Sequence, residues 1–240
     1  MKKLKLKLVL AALVATLSTC GSAPAFATTE PAPVPWLLSV FAYHGTPPPP
    51  CANPKACTSE ETAARDEVAE VRLEAARSIA AVAYDMSEPP LPGWTRHARA
   101  RTALRLAIVA AHETGLQPRL VKGNCKPHEC DSGKAVGTMQ IHPGDHGLRL
   151  VGTGVRTCDS GDASGGDCYD RADLLADQTL TMRVALHILR MGLSRYTGEG
   201  AEEGETSATI RDWESGWWAA HPFAPSDEDV MAAMAEDGLP

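Results

Sequence analysis

The sequence predicts an all-α fold, a compact helical domain with little or no sheet, on three observations. Apolar residues recur every three or four positions in three long segments, which is the spacing of one face of an α-helix. No segment alternates polar and apolar residues convincingly enough to predict a strand. Hydrophobic residues make up 44% of the 240, which is enough for one sizeable core.

The N-terminus has the features of a secretory signal peptide over residues 1–27. Four lysines precede an apolar run that ends near Ala25-Phe26-Ala27. The run is shorter than the roughly 20 residues that span a bilayer, so we expect no transmembrane segment in the mature chain. We expect export to the periplasm or the medium. Lipid attachment at Cys20 is the alternative, although Thr19 is larger than the residue that usually precedes a lipidated cysteine.

The charge balance argues against nucleic acid as a partner. The leader holds four lysines and no acid, so its removal changes the formal net charge from -7 to -11. Sequence-independent binding of nucleic acid needs a basic surface that replaces counterions. We therefore expect no nucleic-acid partner, whereas a polysaccharide substrate stays compatible with this charge.

Residues 28–57 are rich in proline and predict an extended tether. The first long helix is predicted to begin at Thr58, whose spacing to Glu61 is that of a capping box. The prolines at 89, 90 and 92 should end it. Its apolar stripe consists of Val68, Val71, Ala75, Ile79, Val82 and Met86.

Two further long helices are predicted in the body of the chain. One covers about 95–114 and ends at Gly115, which is well placed as a C-cap. Its core face is Ala100, Leu104, Ala107, Ile108 and Ala111. The other begins at 173 or 177 and ends at 196, and 116–170 is predicted as loops with one short helix. Its apolar side is Leu180, Val184, Ile188 and Met191.

The C-terminal part of the chain predicts a shorter helix over 207–220 and a weak acidic helix over 226–236. We assign 58–222 to the helical domain and 223–240 to an acidic C-terminal tail.

Six cysteines remain in the mature chain, an even number that predicts disulfides in an exported protein. Their closeness in sequence favours three local bridges, which would pin the loop region. The predicted bridges are Cys51–Cys57, Cys125–Cys130 and Cys158–Cys168. The spacings of the cysteines are not those of zinc ligands. Pro143 and Gly144 break any helix that would align His142 and His146 as ligands, and the loop aspartates do not match an EF-hand. We therefore expect no metal.

Glu113 is the candidate catalytic residue, because it lies in the last turn of the second helix, just before Gly115. The carbonyl end of a helix carries partial negative charge, and burial against an apolar loop would also disfavour a carboxylate. Both effects should raise the pKa of Glu113 and keep it protonated, as proton donation to a glycosidic oxygen requires. An ordinary solvated glutamate is the alternative.

A second motif, Gly137-Thr138-Met139-Gln140-Ile141, has the chemistry of a sugar site. Gly137 permits close approach of a sugar or a backbone. Met139 offers a soft apolar contact, and Gln140 can both donate and accept hydrogen bonds. A buried turn with a structural glutamine is the alternative.

The two motifs together resemble those of the lytic transglycosylases with the goose-type lysozyme fold. In that family a helix ends in Glu-Ser-x-Phe-x-Pro, and an insert precedes Ala-x-Gly-Leu-Met-Gln-Ile-x-Pro. The corresponding stretches here are Glu-Thr-Gly-Leu-Gln-Pro at 113–118 and Ala-Val-Gly-Thr-Met-Gln-Ile-His-Pro at 135–143. An apolar helix after Asp177 is a further match.

The resemblance implies a lysozyme-like domain that acts on peptidoglycan glycan strands without a cofactor. Glu113 would be the single acid and base. It would protonate the bond between N-acetylmuramic acid and N-acetylglucosamine and then take the proton of the muramyl 6-hydroxyl, which yields a 1,6-anhydro sugar. Thr114, Gly137, Met139 and Gln140 correspond to substrate-binding positions of the family's cleft.

Departures from the family pattern leave two other functions open. The family's later Tyr-Asn-Ala-Gly segment has no counterpart here, and that region holds Trp213 and Trp217, one helical turn apart, as core residues or as a sugar platform. A lysozyme-type hydrolase would need a second carboxylate to position water, whereas a non-catalytic wall-binding module would need none. The candidate second carboxylates are Glu129, Asp131 and Asp145.

Overall fold

The computed structural model describes residues 33–53, 55–91, 98–160 and 168–196. Residues 194–196 are described by their backbone alone. The helices of this part are α1 Pro33–His44, α2 Ser59–Ala83, α3 Ala98–Thr114, α4 Pro118–Val121, α5 Cys130–Gly133, α6 Arg171–Ala176 and α7 Gln178–Tyr196; the strands are β1 Leu148–Val151 and β2 Gly154–Thr157. The described residues are thus mainly helical. The predicted signal peptide, the helices over 207–220 and 226–236, the acidic tail, Trp213 and Trp217 lie outside them.

Helix α1 corrects the prediction of an extended tether over 28–57. Its apolar residues Val34, Leu37 and Phe41 follow helical spacing and are fully buried in the core. Pro33 and Pro35 lie in the first turn, where a missing N–H costs no helical hydrogen bond. The helical body therefore includes residues well before the predicted boundary at 58. The proline content obscures the apolar stripe in the sequence. Within the described part of the predicted tether, residues 45–53 and 55–57 contain no helix.

Helix α2 begins as predicted. Thr58 is its N-cap and forms a capping box with Glu61: the Thr58 Oγ1 accepts from the Glu61 N–H, and the Glu61 carboxylate accepts from the Thr58 N–H. The helix ends at Ala83, however, before the prolines. Met86, the last residue of the predicted stripe, therefore lies outside the helix and is 67% exposed.

Helix α3 is the central helix of the described fold, and it packs against α1, α2 and α7. All five residues of its predicted core face are buried. Most of its other residues are buried as well, because neighbouring helices cover it on several sides. A helix enclosed in this way holds its C-terminal end in a fixed position.

The third long helix begins at the later of its two predicted starts, since α7 follows Asp177, and a separate short helix, α6, precedes it. The carboxylate of Asp177 accepts from the Leu180 N–H at 2.9 Å, which starts α7. Ile188, predicted on the apolar side, is 41% exposed, whereas Met182 and Leu186 are buried. Val184 of the predicted side is fully buried, so α7 buries most of that side and further residues besides, where it contacts α2 and the β-hairpin.

The predicted loop region 116–170 contains one antiparallel hairpin, β1 and β2, with Val151 paired to Gly154. Its two-residue connection begins at Gly152, whose φ of +58° is the left-handed conformation that glycine favours. Strands of four residues are too short for their alternation to stand out in the sequence.

The three predicted disulfides are present. The Cα–Cα distances are 5.1 Å for Cys51–Cys57, 6.0 Å for Cys125–Cys130 and 6.2 Å for Cys158–Cys168. Each closes a short local loop, so the bridges fix loops rather than join distant parts of the fold.

A polar cluster around Glu88 ties the α2–α3 loop to α7. The carboxylate of Glu88 accepts from Arg190 at 2.8 Å and lies 3.1 Å from the His187 Nε2. Burial alone would raise the pKa of Glu88, but the hydrogen bonds from Arg190 and His187 outweigh it and hold that pKa below 4.5. A buried cluster of this kind depends on every charge having its partner.

We predict that Glu88→Gln lowers the free energy of unfolding at pH 7 by about 3 kcal/mol, since it removes the carboxylate that pairs with the buried guanidinium of Arg190. The folded-state pKa of Glu88 lies below the unfolded value of 4.5. Its contribution is therefore present above that value and is lost as the pH falls through the lower folded value.

Denaturant unfolding of both proteins from pH 7 to pH 3 measures this difference. Glu74→Gln, an exposed position on α2, is the matched control. A difference between Glu88→Gln and the parent that stays constant over this pH range would contradict the assignment.

Candidate active site

The C-terminal end of α3 presents Glu113 to solvent. The side chains of His112 and Glu113 are 43% and 35% exposed, and their Nδ1 and Oε1 atoms are 3.8 Å apart. The described residues therefore do not form the dry apolar pocket that the sequence predicted around Glu113. Thr114 and Leu116, which are 2% and 0% exposed, take the inward positions instead. Glu113 is thus an accessible carboxyl group on a rigid support.

The end of α3 has the predicted glycine cap. Gly115 has a φ of +57° and donates to the Ala111 carbonyl at 2.9 Å. Its own carbonyl accepts from the Thr46 N–H at 3.0 Å. A Cβ atom at Gly115 would lie 2.1 Å from the Thr46 Oγ1. The position therefore excludes a side chain both by conformation and by space.

Thr114 connects the end of α3 to the second motif. Its Oγ1 lies 3.1 Å from the Ala110 carbonyl oxygen and 3.4 Å from that of Thr138, and it accepts from the Leu116 N–H at 3.2 Å. A buried hydroxyl with several partners fixes the positions of all of them. The structure thus brings together the two motifs that are more than twenty residues apart in the sequence.

The second motif folds as a tight turn. Val136 and Ile141 exchange two backbone hydrogen bonds at 2.9 and 3.0 Å. Gly137 and Gln140 have φ angles of +69° and +46°. A Cβ at Gly137 would lie 3.3 Å from the Thr181 Cγ2. The missing side chain at Gly137 therefore allows α7 to pack closely against this turn.

The turn residues divide into interior and accessible groups. Met139 is 6% exposed and packs in the core, and the Thr138 hydroxyl donates to the Gln178 amide oxygen at 2.8 Å. Gln140 is half-buried, and its Nε2 donates to the Gly137 carbonyl at 2.9 Å. Of the predicted site residues, only Glu113 and Gln140 present side-chain atoms to solvent. Thr114, Gly137 and Met139 lie behind them as support.

Glu129, one of the three candidate second carboxylates for a hydrolase, holds a short loop in place beside this site. Its carboxylate receives two hydrogen bonds from Arg119, one of them from Nη2 at 2.9 Å, and one from the Lys126 N–H at 2.8 Å. The hydrogen bonds from Arg119 and Lys126 lower the pKa of Glu129 to about 2. Glu129 is therefore an anchor, not a proton donor.

The anchored loop contains a left-handed turn. Cys130, Asp131, Ser132 and Gly133 have φ angles of +48°, +50°, +58° and +83°. This conformation costs roughly 1–2 kcal/mol for each non-glycine residue. The Cys125–Cys130 bridge and a 2.7 Å hydrogen bond from the guanidinium of Arg171 to the Gly133 carbonyl hold it in place.

Asp131, at the exposed surface of this turn, pairs with His142. Its Oδ2 lies 3.3 Å from the His142 Nε2, and the two side chains are 69% and 49% exposed. His142 directly follows Ile141, the last residue of the turn motif. Asp145, the third candidate carboxylate, lies exposed in the loop that follows.

The segment after α1 forms one wall beside the end of α3, a role that the sequence did not indicate. Arg72 donates to the Thr46 carbonyl at 2.5 Å, and Arg65 donates to that of Pro49 at 3.0 Å. A cavity of about 360 Å³ lies between this segment, α2 and the start of α4. Its lining includes Pro47, Pro49, Val68, Leu116 and Arg119.

No family model, no curated protein and no solved structure matches the chain. The resemblance to lytic transglycosylases therefore rests on the sequence motifs alone.

The described ranges contain no group of three or more His, Cys, Asp or Glu side chains placed to hold a metal ion. None of the helices within these ranges is long and apolar enough to cross a bilayer.

We predict that Gly115→Ala destabilises the protein more than Gly152→Ala does. The two glycines have nearly equal φ angles, +57° and +58°, but only Gly115 has a neighbour within 4 Å of the added Cβ. Gly152→Ala should therefore show the conformational cost alone, about 1 kcal/mol. Gly115→Ala should add the displacement of Thr46, which thermal unfolding of both variants measures. Equal losses would contradict the packing described at the α3 end.

Proposed function

We propose that the protein cleaves the glycan strands of peptidoglycan as a lytic transglycosylase, with Glu113 as general acid and base. The observation that supports this proposal is the Thr114–Thr138 contact at 3.4 Å, which joins the residue next to Glu113 to the turn that holds Gln140. The family pattern matches the chain at these same two places.

The chemistry proposed for Glu113 begins with its proton. In the proposed complex the glycan lies over the exposed carboxyl and excludes water from it, and removal from water favours the neutral form. The carboxyl then donates its proton to the oxygen of the β-1,4 bond between N-acetylmuramic acid and N-acetylglucosamine. It next takes the proton of the muramyl 6-hydroxyl, whose oxygen bonds to C1 and closes the 1,6-anhydro ring. No water is consumed.

The interior residues of the site would act as support in this proposal. Thr114 and Met139 hold the helix end and the turn, and Gln140 offers its amide to hydroxyl or acetamido groups of the sugar. Three disulfides suit an oxidising compartment outside the cytoplasm, where peptidoglycan lies. The predicted export and substrate are thus consistent with each other.

A hydrolase of the lysozyme type is the second candidate function. The Asp131–His142 pair supports it, because it supplies ionisable groups next to the turn where a nucleophilic water would need a proton acceptor. A non-catalytic wall-binding protein is the alternative outside the enzymes.

We predict that Glu113→Gln lowers the release of soluble fragments from purified sacculi by at least about 100-fold, since it removes the general acid. Its circular dichroism spectrum and melting temperature should match those of the parent, because Glu113 is accessible and Thr114 keeps its contacts. Glu70→Gln, an exposed position on α2, is the control and should keep full activity.

Mass spectrometry of the released fragments distinguishes the candidate functions. Anhydro ends are expected for the transglycosylase, and reducing ends would favour the hydrolase. If both the parent and Glu113→Gln bind to sacculi and neither releases fragments, the enzymatic function would be contradicted. The result would favour the non-catalytic wall-binding protein.

A further inference from the structure

We infer that Gln178, the first residue of α7, is a positioning residue of the proposed site. Its side chain holds Thr138 and thereby sets the direction in which Gln140 meets the glycan. This inference rests on the proposed function. Gln178 itself is 8% exposed, so it acts through the turn and does not touch the substrate.

The contact between Gln178 and Thr138 is a buried hydrogen bond. The Thr138 Oγ1 donates to the Gln178 Oε1 at 2.8 Å, and Thr138 is fully buried. A buried hydroxyl or amide that loses its partner is not compensated by water. Each of the two side chains therefore fixes the position of the other, both in distance and in direction.

Thr138 is the residue through which the turn meets two helices. Its side chain binds α7 at Gln178, and its backbone carbonyl lies 3.4 Å from the Thr114 Oγ1 at the end of α3. The backbone hydrogen bonds between Val136 and Ile141 close the turn but do not place it on the helices. The hydrogen bond to Gln178 is thus a separate constraint, which a side-chain change can remove while the backbone contact with Thr114 remains.

The start of α7 also makes an apolar contact with this turn, but that contact has no direction. A Cβ at Gly137 would lie 3.3 Å from the Thr181 Cγ2, so the backbone of the turn and this methyl group are already close. Contacts of this kind limit how near two elements approach and leave the tilt of the turn open. The hydrogen bond of the next residue, Thr138, supplies the missing constraint.

The turn passes this constraint to Gln140 through one peptide group. The Gln140 Nε2 donates to the Gly137 carbonyl at 2.9 Å, and this carbonyl belongs to the peptide that joins Gly137 to Thr138. A rotation of that peptide moves the acceptor of the Gln140 amide. Gln140 also has a φ of +46°, a conformation that persists only where the surroundings impose it. Gln178 therefore orients Gln140 through Thr138.

The sequence of this chain supports a matched pair. Thr138 stands where the family pattern has leucine, and a buried hydroxyl at an apolar position requires a partner. Gln178 supplies that partner from α7. The pair therefore replaces an apolar contact by a directed one.

The first test measures the kinetics of Gln178→Leu on soluble glycan strands. Leucine keeps most of the volume of glutamine but cannot accept the Thr138 proton. Because Gln140 binds sugar and Glu113 is untouched, KM should rise by about 3- to 10-fold, the equivalent of one hydrogen bond. The value of kcat should stay near that of the parent. A KM equal to that of the parent would overturn the inference.

Gln178→Glu is the conservative rescue. It keeps an oxygen acceptor at the same length of side chain, and the N-terminus of a helix favours its negative charge. Its KM should therefore lie closer to that of the parent than the KM of Gln178→Leu does. A KM as high as that of Gln178→Leu would contradict the hydrogen bond as the cause.

Thr138→Val removes the same hydrogen bond from the other side. It should raise KM as much as Gln178→Leu does, and the double variant should raise it no further, because the two changes act through one interaction. Additive increases would contradict this interaction. If Gln178→Leu does not fold, Thr138→Val provides the same measurement.

Thr181→Val is the matched control. Thr181 is a fully buried residue three positions further along α7, and its hydroxyl donates to the Leu174 carbonyl at 2.6 Å. Valine keeps the methyl group beside Gly137. The change should lower the melting temperature and leave KM unchanged. Equal rises of KM in Thr181→Val and Gln178→Leu would overturn the inference, because a general loosening of α7 would then explain both.

The NMR signals of the Gln140 side-chain amide separate this inference from the proposed function. They should shift in Gln178→Leu and not in Thr181→Val, whether or not the protein cleaves glycan. Unchanged Gln140 amide signals in Gln178→Leu would overturn the positioning role. Activity of Glu113→Gln near the parent level would instead overturn the proposed function.

Discussion

The buried hydroxyl group of Thr114 is the interaction on which the site depends. It lies within hydrogen-bond distance of the Ala110 and Thr138 carbonyls and accepts from the Leu116 N–H. It thus joins the end of the central helix to the turn from Val136 to Ile141. The backbone at Glu113 is therefore connected, through the next residue, to the turn that holds Gln140.

The contacts that hold the described fold together lie behind the site and along its edges. Helix α3 is enclosed by α1, α2 and α7, and the Glu88 cluster fastens the loop that precedes α3 to α7. The Cys125–Cys130 bridge and the Arg119–Glu129 pair hold the loop at one edge. These contacts support the helix end and the turn from which Glu113 and Gln140 are exposed, and the proposed function would use this support to position a substrate.

The sequence predicted those parts of the fold that are determined locally. The capping box of Thr58, the glycine cap at Gly115 and the three disulfides each involve residues within ten positions of each other. It failed for α1, because proline content outweighed a short apolar stripe. It also failed for the exposed Ile188, because tertiary contacts and not spacing alone decide which side of a helix is buried.

The sequence predicts the two motifs of the candidate site, but it does not predict how their side chains are arranged. The accessibility of Glu113 depends on which of its neighbours turns inward, and periodicity does not resolve this at a helix end. The pairing of Asp131 with His142 depends on a left-handed turn at three consecutive non-glycine residues, a conformation that sequence preference argues against. Contacts of this kind become visible only when the chain is folded.

The most direct test of the account is a crystal structure of Glu113→Gln with a bound peptidoglycan tetrasaccharide. The account predicts that a glycosidic oxygen lies within about 2.6–3.2 Å of the side chain at position 113, with Gln140 in contact with the adjoining sugar. A glycan bound elsewhere on the protein, with position 113 facing open solvent, would contradict it.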